Sequence, residues 1–482
     1  MAVEYDLVVV GSSWAGIYAA KSAVQLKARV ALVTQSESKY LPNDTLFNCS
    51  LGEAGRIKDW LQNNYLMAQE TRTTDVSLAE ANAWVKDIKT AVQNINSLSD
   101  LAALGVDIIV GKGEFYRLPN LGLAVNQRTI RSRRFLLATG SQTMPGLLDS
   151  NNSKDYLTLR DLSKHNLSNL PKNIIIIGSD PSALKLAQAL SRLGKKITLV
   201  IKNSRVLPQE DKDISILIQA QLEAEGITIF TNSAASQIKT INGQKWLQAG
   251  DRALTADEII ITDYRQPNIS GLNLAGINVK YNQQRIYVNS KLATTNPKIY
   301  ACGDSIGGYC LNSVARYEVN LILKNTLFFP WYKANYDFLP WAILTQPNLA
   351  RVGLTEEKAK QKYQGKIYVI REYFKNIATT QISDNVSGLC KLLVTKKGEI
   401  LGCTLVGDRA AELIAIPSLM MQHKIKLDRN PMRGLTSISI PHIYPGMAEI
   451  LEQAIDNFYQ QKIQDNPKLV SRLNDWFSKR KQ

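Results

Sequence analysis

Apolar positions along this chain follow two rhythms. Residues 5–10 form an almost unbroken β-branched run that enters the turn Gly11-Ser12-Ser13-Trp14-Ala15-Gly16. Residues 17–26 are Ala-rich with helical spacing, and residues 30–34 return to a continuous apolar run. Strands apolar on both faces and separated by helices predict a parallel sheet covered on both sides. The unit recurs as a strand over 173–177, a turn over 178–183, an amphipathic helix over 184–194 and a strand over 197–201.

Later the pattern changes. Residues 157–171 read as a linker, and the aromatic, proline-containing stretch 328–340 marks a boundary. Residues 388–394 and 399–406 predict an antiparallel hairpin around Lys396-Lys397-Gly398, and a helix follows over 449–461. This region reads as α+β. At the C-terminus, Asn466-Pro467 is a helix start, as N-cap and first helical position. Leu469, Val470, Leu473, Trp476 and Phe477 recur at helical spacing beyond it, among Lys468, Arg472, Lys479, Arg480 and Lys481. Such a basic amphipathic tail either touches an anionic membrane surface or docks on its own dimer.

Composition narrows the class. The chain has 482 residues, 45 % of them hydrophobic, which fits about three globular domains. No apolar run approaches the roughly 20 residues of a membrane span. A strand beginning at Tyr5 leaves no room for a signal peptide, and five cysteines are too few for a disulfide scaffold, so a reducing cytoplasm is expected. The formal charge of +16 asks for an acidic partner: nucleic acid, an anionic membrane or a phosphate-bearing cofactor. No helix-turn-helix, zinc-finger or RNA-binding signature appears, so nucleic acid is not expected. Cys302 and Cys310 have no His or second pair at metal-ligand spacing, and no zinc site is predicted.

Gly11 to Gly16 matches GxGxxG with Ser13 at the central glycine. Between a strand and a helix, such a turn lets backbone approach a pyrophosphate at a helix N-terminus. Two more strand ends carry chemistry: Phe135-Leu-Leu-Ala138-Thr139-Gly140-Ser141 and Ile299-Tyr-Ala-Cys-Gly303-Asp304. In order and spacing these motifs resemble the pyridine nucleotide-disulfide oxidoreductases, such as glutathione reductase, dihydrolipoamide dehydrogenase and mercuric reductase. The segments 344–356, 402–407 and 441–449 continue the resemblance into that family's dimerisation domain.

The resemblance implies an α/β chain with two Rossmann-like dinucleotide-binding domains and a C-terminal α+β dimerisation domain. Its parts would be an FAD domain over 1–152 and 276–332, an NAD(P)-type domain over 153–275, a dimerisation domain over 333–461 and the tail over 462–482. It implies FAD, with Gly11, Ser13, Trp14, Ala15 and Gly16 at the pyrophosphate. Ala138, Thr139 and Gly140 would lie beside the cofactor, with Gly303 and Asp304 at its ribityl or pyrophosphate region. Thr34 or Gln35 stands where an acidic residue usually binds the adenosine ribose. The family's homodimer would bring the segment around Tyr444 to the partner's flavin.

Four departures separate this chain from the family. The redox disulfide needs two cysteines five apart, but only Cys49 is present and Asp44 holds the partner position. Cys49 is therefore either a flavin-side thiol or a small packed hydrophobe. Second, Tyr444 stands where the family's acid-base His is expected, while Glu449 keeps its spacing. A phenol titrates near 10 and an imidazole near 6.5, so tyrosine is the poorer proton shuttle at neutral pH. His442 lies two residues away, either as a substitute or as a structural residue. Third, Gly178-Ser-Asp180-Pro-Ser-Ala183 places a carboxylate where backbone should meet a pyrophosphate. NAD or NADP is then expected to bind weakly or not at all, although Lys202 and Arg205 could hold a 2′-phosphate or form a solvated basic loop. Fourth, Lys185 occupies the family's Glu position and Glu53 lies near its Lys position, which predicts an ion pair with its ends exchanged.

The expected function is an FAD-dependent oxidoreductase without a redox disulfide. Electrons would pass from NAD(P)H through FAD to a small acceptor such as a quinone, with a peripheral membrane contact through the tail. The alternative is a catalytically degenerate flavoprotein acting as a redox sensor or scaffold.

Overall fold

The computed structural model describes residues 3–35, 44–63, 76–95, 97–117, 120–144, 149–150, 155–308, 311–427 and 440–479. The chain divides into two compact units, residues 1–208 with 216–334, and residues 209–215 with 335–482.

The first unit contains two five-stranded parallel sheets. In the first, the strands run in the order Ile299–Ala301, Ser132–Leu137, Tyr5–Val10, Val30–Thr34, Asp107–Val110. Leu7, Val8 and Val9 are fully buried, as a strand covered on both faces requires. In the second the order is Leu157–Thr158, Glu258–Ile261, Asn173–Ile177, Lys196–Val200, Thr228–Phe230. Helix α1 (Trp14–Gln25) follows the first turn. Helix α2 (Asp44–Asn63) packs on helix α3 (Pro181–Arg192), closely enough that a Cβ on Gly55 would lie 3.2 Å from the Ala189 carbonyl oxygen. Helix α4 (Asn312–Leu323) packs beside α1.

Two local expectations shift. Helix α3 begins at Pro181, three residues before the apolar periodicity, because Asp180 caps it and proline suits the first helical position. The stretch 157–171 is no plain linker: Thr158 and Asp161 form a capping box over Leu159–Leu162, whose Leu159 and Leu162 are buried.

The second unit is built on an antiparallel sheet in the order Trp341–Ile343, Asn348–Gly353, Ile400–Gly407, Leu389–Thr395, Ile367–Tyr373. The predicted hairpin is its centre, turning at Gly398 with φ 80°. Helix α5 (Glu449–Gln464) covers the sheet with Ile450, Leu451, Ala454, Ile455 and Phe458, and helix α6 (Pro467–Lys479) follows. Trp476 and Phe477 on α6 are exposed, Arg480 and Lys481 lie outside the described residues, and the side chains of Leu469 and Leu473 are likewise not described. Cys390 and Cys403 are diagonal neighbours on adjacent strands and remain free thiols, with Cys390 pushed up by its contact with Cys403 and by burial.

Segment 209–215 joins this unit through charge. Lys391 is 1 % exposed and its Nζ lies 3.1 Å from Asp211, 2.6 Å from Asp213 and 3.1 Å from Glu356. Burial alone would lower the Lys391 ammonium, but its carboxylate partners, Asp213 first, outweigh that and raise it. Among the described residues no helix is long and apolar enough to cross a membrane.

Candidate functional site

The first turn is shaped by backbone. Gly11 has φ 107°, and a Cβ there would sit 2.6 Å from the Ala138 carbonyl oxygen. A Cβ on Gly16 would lie 2.0 Å from the Gly11 carbonyl oxygen. Ser13 is the N-cap of α1: its Oγ accepts from the Gly16 amide at 3.3 Å and donates to the Ala138 carbonyl at 2.6 Å. The Ser13 hydroxyl is thus turned onto the neighbouring strand end. The first-turn amides of a helix lack intrahelical acceptors, so α1 starts as an anion site. Ala15 is buried beneath it, while Trp14 stacks on Tyr18 with ring centroids 5.3 Å apart.

Around this cradle, Asn268 donates from its side chain to the Thr139 carbonyl at 3.1 Å and from its backbone to the Gly140 carbonyl at 3.0 Å. Thr139 Oγ1 is buried and has no hydrogen-bond partner among the described residues. Gly303 donates to the buried Glu318 at 2.7 Å. Asp304 accepts from Ser141 and from Arg265, each at 3.4 Å, and Arg265 also donates to Ser141 at 3.0 Å. Thr34 is buried with its hydroxyl 2.8 Å from that of Ser12, which leaves Gln35 as the exposed side chain at the strand end. A glycine cradle at a helix start and an orphaned threonine hydroxyl beside it fit a dinucleotide diphosphate.

Cys49 and Lys185 meet where α2 packs on α3. Lys185 is buried, and its Nζ donates to Cys49 Sγ at 2.8 Å. The exchanged Glu53–Lys185 ion pair is not formed. Glu53 instead pairs with Arg56 at 2.5 Å, a local partner three residues along the same helix, whose hydrogen bond holds its carboxyl low. The side chain of Asp44 is outside the described residues.

The second turn has the same frame and different chemistry. Gly178 has φ 153°, and a Cβ there would meet Thr262 Oγ1 at 2.0 Å. Asp180 accepts from the Ala183 amide at 2.9 Å and from Thr262 Oγ1 at 3.2 Å. Its carboxylate thereby sits at the helix start, and burial pushes it up. Asp263 faces the same turn, 3.4 Å from the Ser179 amide, and is pushed up to about 6 by burial and then by the charge of Asp180. Lys202 is exposed with its charge toward Asp263, and Arg205 donates to the Pro208 carbonyl at 3.1 Å. Two acidic side chains at a helix N-terminus, one of them already occupying the Ala183 amide, do not fit a pyrophosphate.

In the second unit, Tyr444 is 71 % exposed and makes no hydrogen bond to Glu449. Glu449 accepts from Gln453 at 3.1 Å, and its other oxygen is buried without a partner among the described residues. His442 has a carboxylate neighbour, its Nδ1 lying 3.0 Å from Glu452.

Family models account for both parts of the chain. Residues 5–318 match the model described as pyridine nucleotide-disulphide oxidoreductase, and residues 339–455 match that family's dimerisation domain. The chain belongs to this family. It is 27 % identical over 475 residues to mercuric reductase of Staphylococcus aureus, covering 94 % of this chain and 82 % of that protein. It is 26 % identical to dihydrolipoyl dehydrogenase of Bacillus subtilis, covering 88 % and 93 %. Among solved structures, LpdA from Mycobacterium tuberculosis superposes with TM-score 0.81 at 21 % identity, covering 94 % and 99 %. Members of the family, mercuric reductase and lipoamide dehydrogenase among them, use FAD and NAD(P)H, and the dimerisation-domain match supports a homodimer.

Within this family frame, Arg265, Asn268, Asp263, Glu318 and Glu452 escaped sequence reading. The first four belong to the first unit and Glu452 stands beside His442 in the second, and none carries a motif of its own. The repeated strand-end pattern is the one signal that could have flagged Asp263, which follows the strand Glu258–Ile261.

Proposed function

We propose that this chain is an FAD-dependent oxidoreductase that reduces a non-disulfide acceptor, such as a quinone, rather than a disulfide. The observation that carries this reading is the partner of Cys49. Thiol-disulfide exchange needs a second sulfur in reach, and the group beside Cys49 is the Lys185 ammonium at 2.8 Å, with Asp44 five residues earlier.

FAD would be held by Gly11, Gly16, the α1 amides, Thr139, Gly140 and the Asp304–Arg265 pair. A flavin accepts a hydride and releases electrons singly or in pairs, which suffices for quinone reduction. Lys185 places a positive charge where α2 and α3 meet. His442, held by Glu452, is the proton donor this reading favours over Tyr444. NAD(P)H remains the donor by family, admitted poorly at neutral pH because Asp180 and Asp263 oppose its pyrophosphate. Those two carboxylates also favour the second reading, a redox sensor or scaffold that has lost its nicotinamide donor. The basic tail over 462–482 would then serve a membrane or protein contact.

The test is visible absorption of the purified protein under anaerobic conditions. The reading predicts a flavin spectrum that NADPH bleaches slowly and a quinone restores, unchanged in Cys49→Ser. A spectrum that no nicotinamide alters would favour the sensor or scaffold, and loss of quinone turnover in Cys49→Ser would contradict the non-disulfide route.

A further inference from the structure

We infer that the loop after α4 is a membrane-docking surface for an anionic bilayer. Phe328, Phe329, Trp331 and Tyr332 are 59, 56, 70 and 47 % exposed. Four consecutive large aromatics, broken only by Pro330, thus face outward where a globular protein would bury them. Phe329 and Trp331 stack on each other at 4.7 Å instead of on the core.

The loop is held in this outward form. Asn325 is 2 % exposed and grips Tyr332 at both backbone groups, accepting from its amide at 3.0 Å and donating to its carbonyl at 2.9 Å. The same side chain donates to the Lys291 carbonyl at 3.2 Å, and the Ala334 amide donates to the Ser290 carbonyl at 2.6 Å. A buried amide engaged this fully fixes the hairpin-like bend between Phe328 and Lys333. The aromatics therefore reach a partner without an ordering cost.

Charge selects the partner. Lys324 and Lys333 are exposed at either end of the loop, Lys324 lies 5.4 Å from the Tyr332 ring, and no carboxylate occurs from Lys324 to Tyr336. Phe, Trp and Tyr among lysines match a headgroup interface, where rings enter the acyl boundary and ammonium groups meet lipid phosphates. A second copy fits poorly. Two-fold pairing would set one basic patch against another. Four half-exposed rings also offer roughly 400–500 Å², under the roughly 800 Å² per partner of a standard interface. The surface is independent of the redox reading, though a lipid-soluble acceptor would be close at hand.

Vesicle co-sedimentation of the full-length protein tests it. Vesicles of equal phosphatidylglycerol and phosphatidylcholine should retain the protein at least tenfold better than phosphatidylcholine alone. Replacing Phe328, Phe329 and Trp331 together by Ser should lower that retention at least tenfold without changing the melting temperature by more than a few degrees. Lys324→Glu with Lys333→Glu, which leaves the rings intact, should erase the preference for the anionic vesicles. Retention unchanged in the triple variant, as when the tail alone binds, would overturn the assignment. So would no retention of the wild type, or a triple variant altered only in its oligomeric state.

Discussion

The two dinucleotide-type turns share a backbone and differ in the acidity of the side chains around them. At each, a parallel strand ends in a glycine with positive φ, and a polar side chain caps the following helix. Ser13 does so as a neutral hydroxyl and Asp180 as a carboxylate, with Asp263 beside it. Capping satisfies the same orphan amide in both cases, since serine and aspartate are equally good N-caps. At the second turn an ionised carboxylate would oppose the positive helix end to which a phosphate binds. The fold is therefore kept at both turns, while the second carries acidic side chains where the first carries a hydroxyl.

The largest contrast should come from filling each glycine. Gly11→Ala drives a Cβ to 2.6 Å from backbone atoms at a φ of 107°, and strain of this kind should cost about 3 kcal/mol or more and strip the flavin, read as absorbance per protein. Gly178→Ala meets the Thr262 hydroxyl at 2.0 Å, with Asp263 and the Ala183 side chain at 3.2 and 3.3 Å; it strains the second turn only and should leave the flavin content unchanged. Equal flavin loss in both would erase the distinction.

Next in size is the stability cost of the second turn. Asp263 is raised from an ordinary 3.8 to about 6, so the fold favours its protonated form. Its carboxylate is then a penalty that is fully present above pH 6 and vanishes as pH falls below about 4. A shift of about two units is worth about 3 kcal/mol. Asp263→Asn should stabilise the protein by up to that amount at pH 8 and by almost nothing at pH 4, measured by urea unfolding. Stabilisation that is the same at both pH values would show that charge is not the cause.

A smaller effect compares the caps. Ser13→Ala removes both the cap and the bond to Ala138 and should cost about 1 kcal/mol. Asp180→Ala loses a cap of similar worth but also removes a buried charge, so its net change should be smaller or of opposite sign.

The fold was largely legible in the chain because its signals are local. Apolar runs, the glycine turns and the Lys396-Lys397-Gly398 hairpin each fix a few neighbouring residues. Asp180 was legible for the same reason, since it lies inside a motif. Its partner Asp263 was not, because it comes from a separate strand end. The Glu53–Lys185 expectation failed on competition: motif position brings two groups near each other, but Arg56 reaches Glu53 from one helical turn away, and Lys185 turns to Cys49. The partner of His442 was not legible because Glu452 stands ten residues on, beyond the start of α5.

The central claim, that charge at the second turn limits the nicotinamide donor, is tested most directly by anaerobic flavin reduction with NADPH from pH 5 to 8. The wild type should show an apparent affinity that weakens as pH rises through about 6, where Asp263 loses its proton. Asp180→Asn with Asp263→Asn should remove that dependence and bind NADPH about tenfold or more tightly at pH 8, as expected for removing charges near a phosphate. A wild type that is as tight at pH 8 as at pH 5, and no weaker than the double variant, would contradict it.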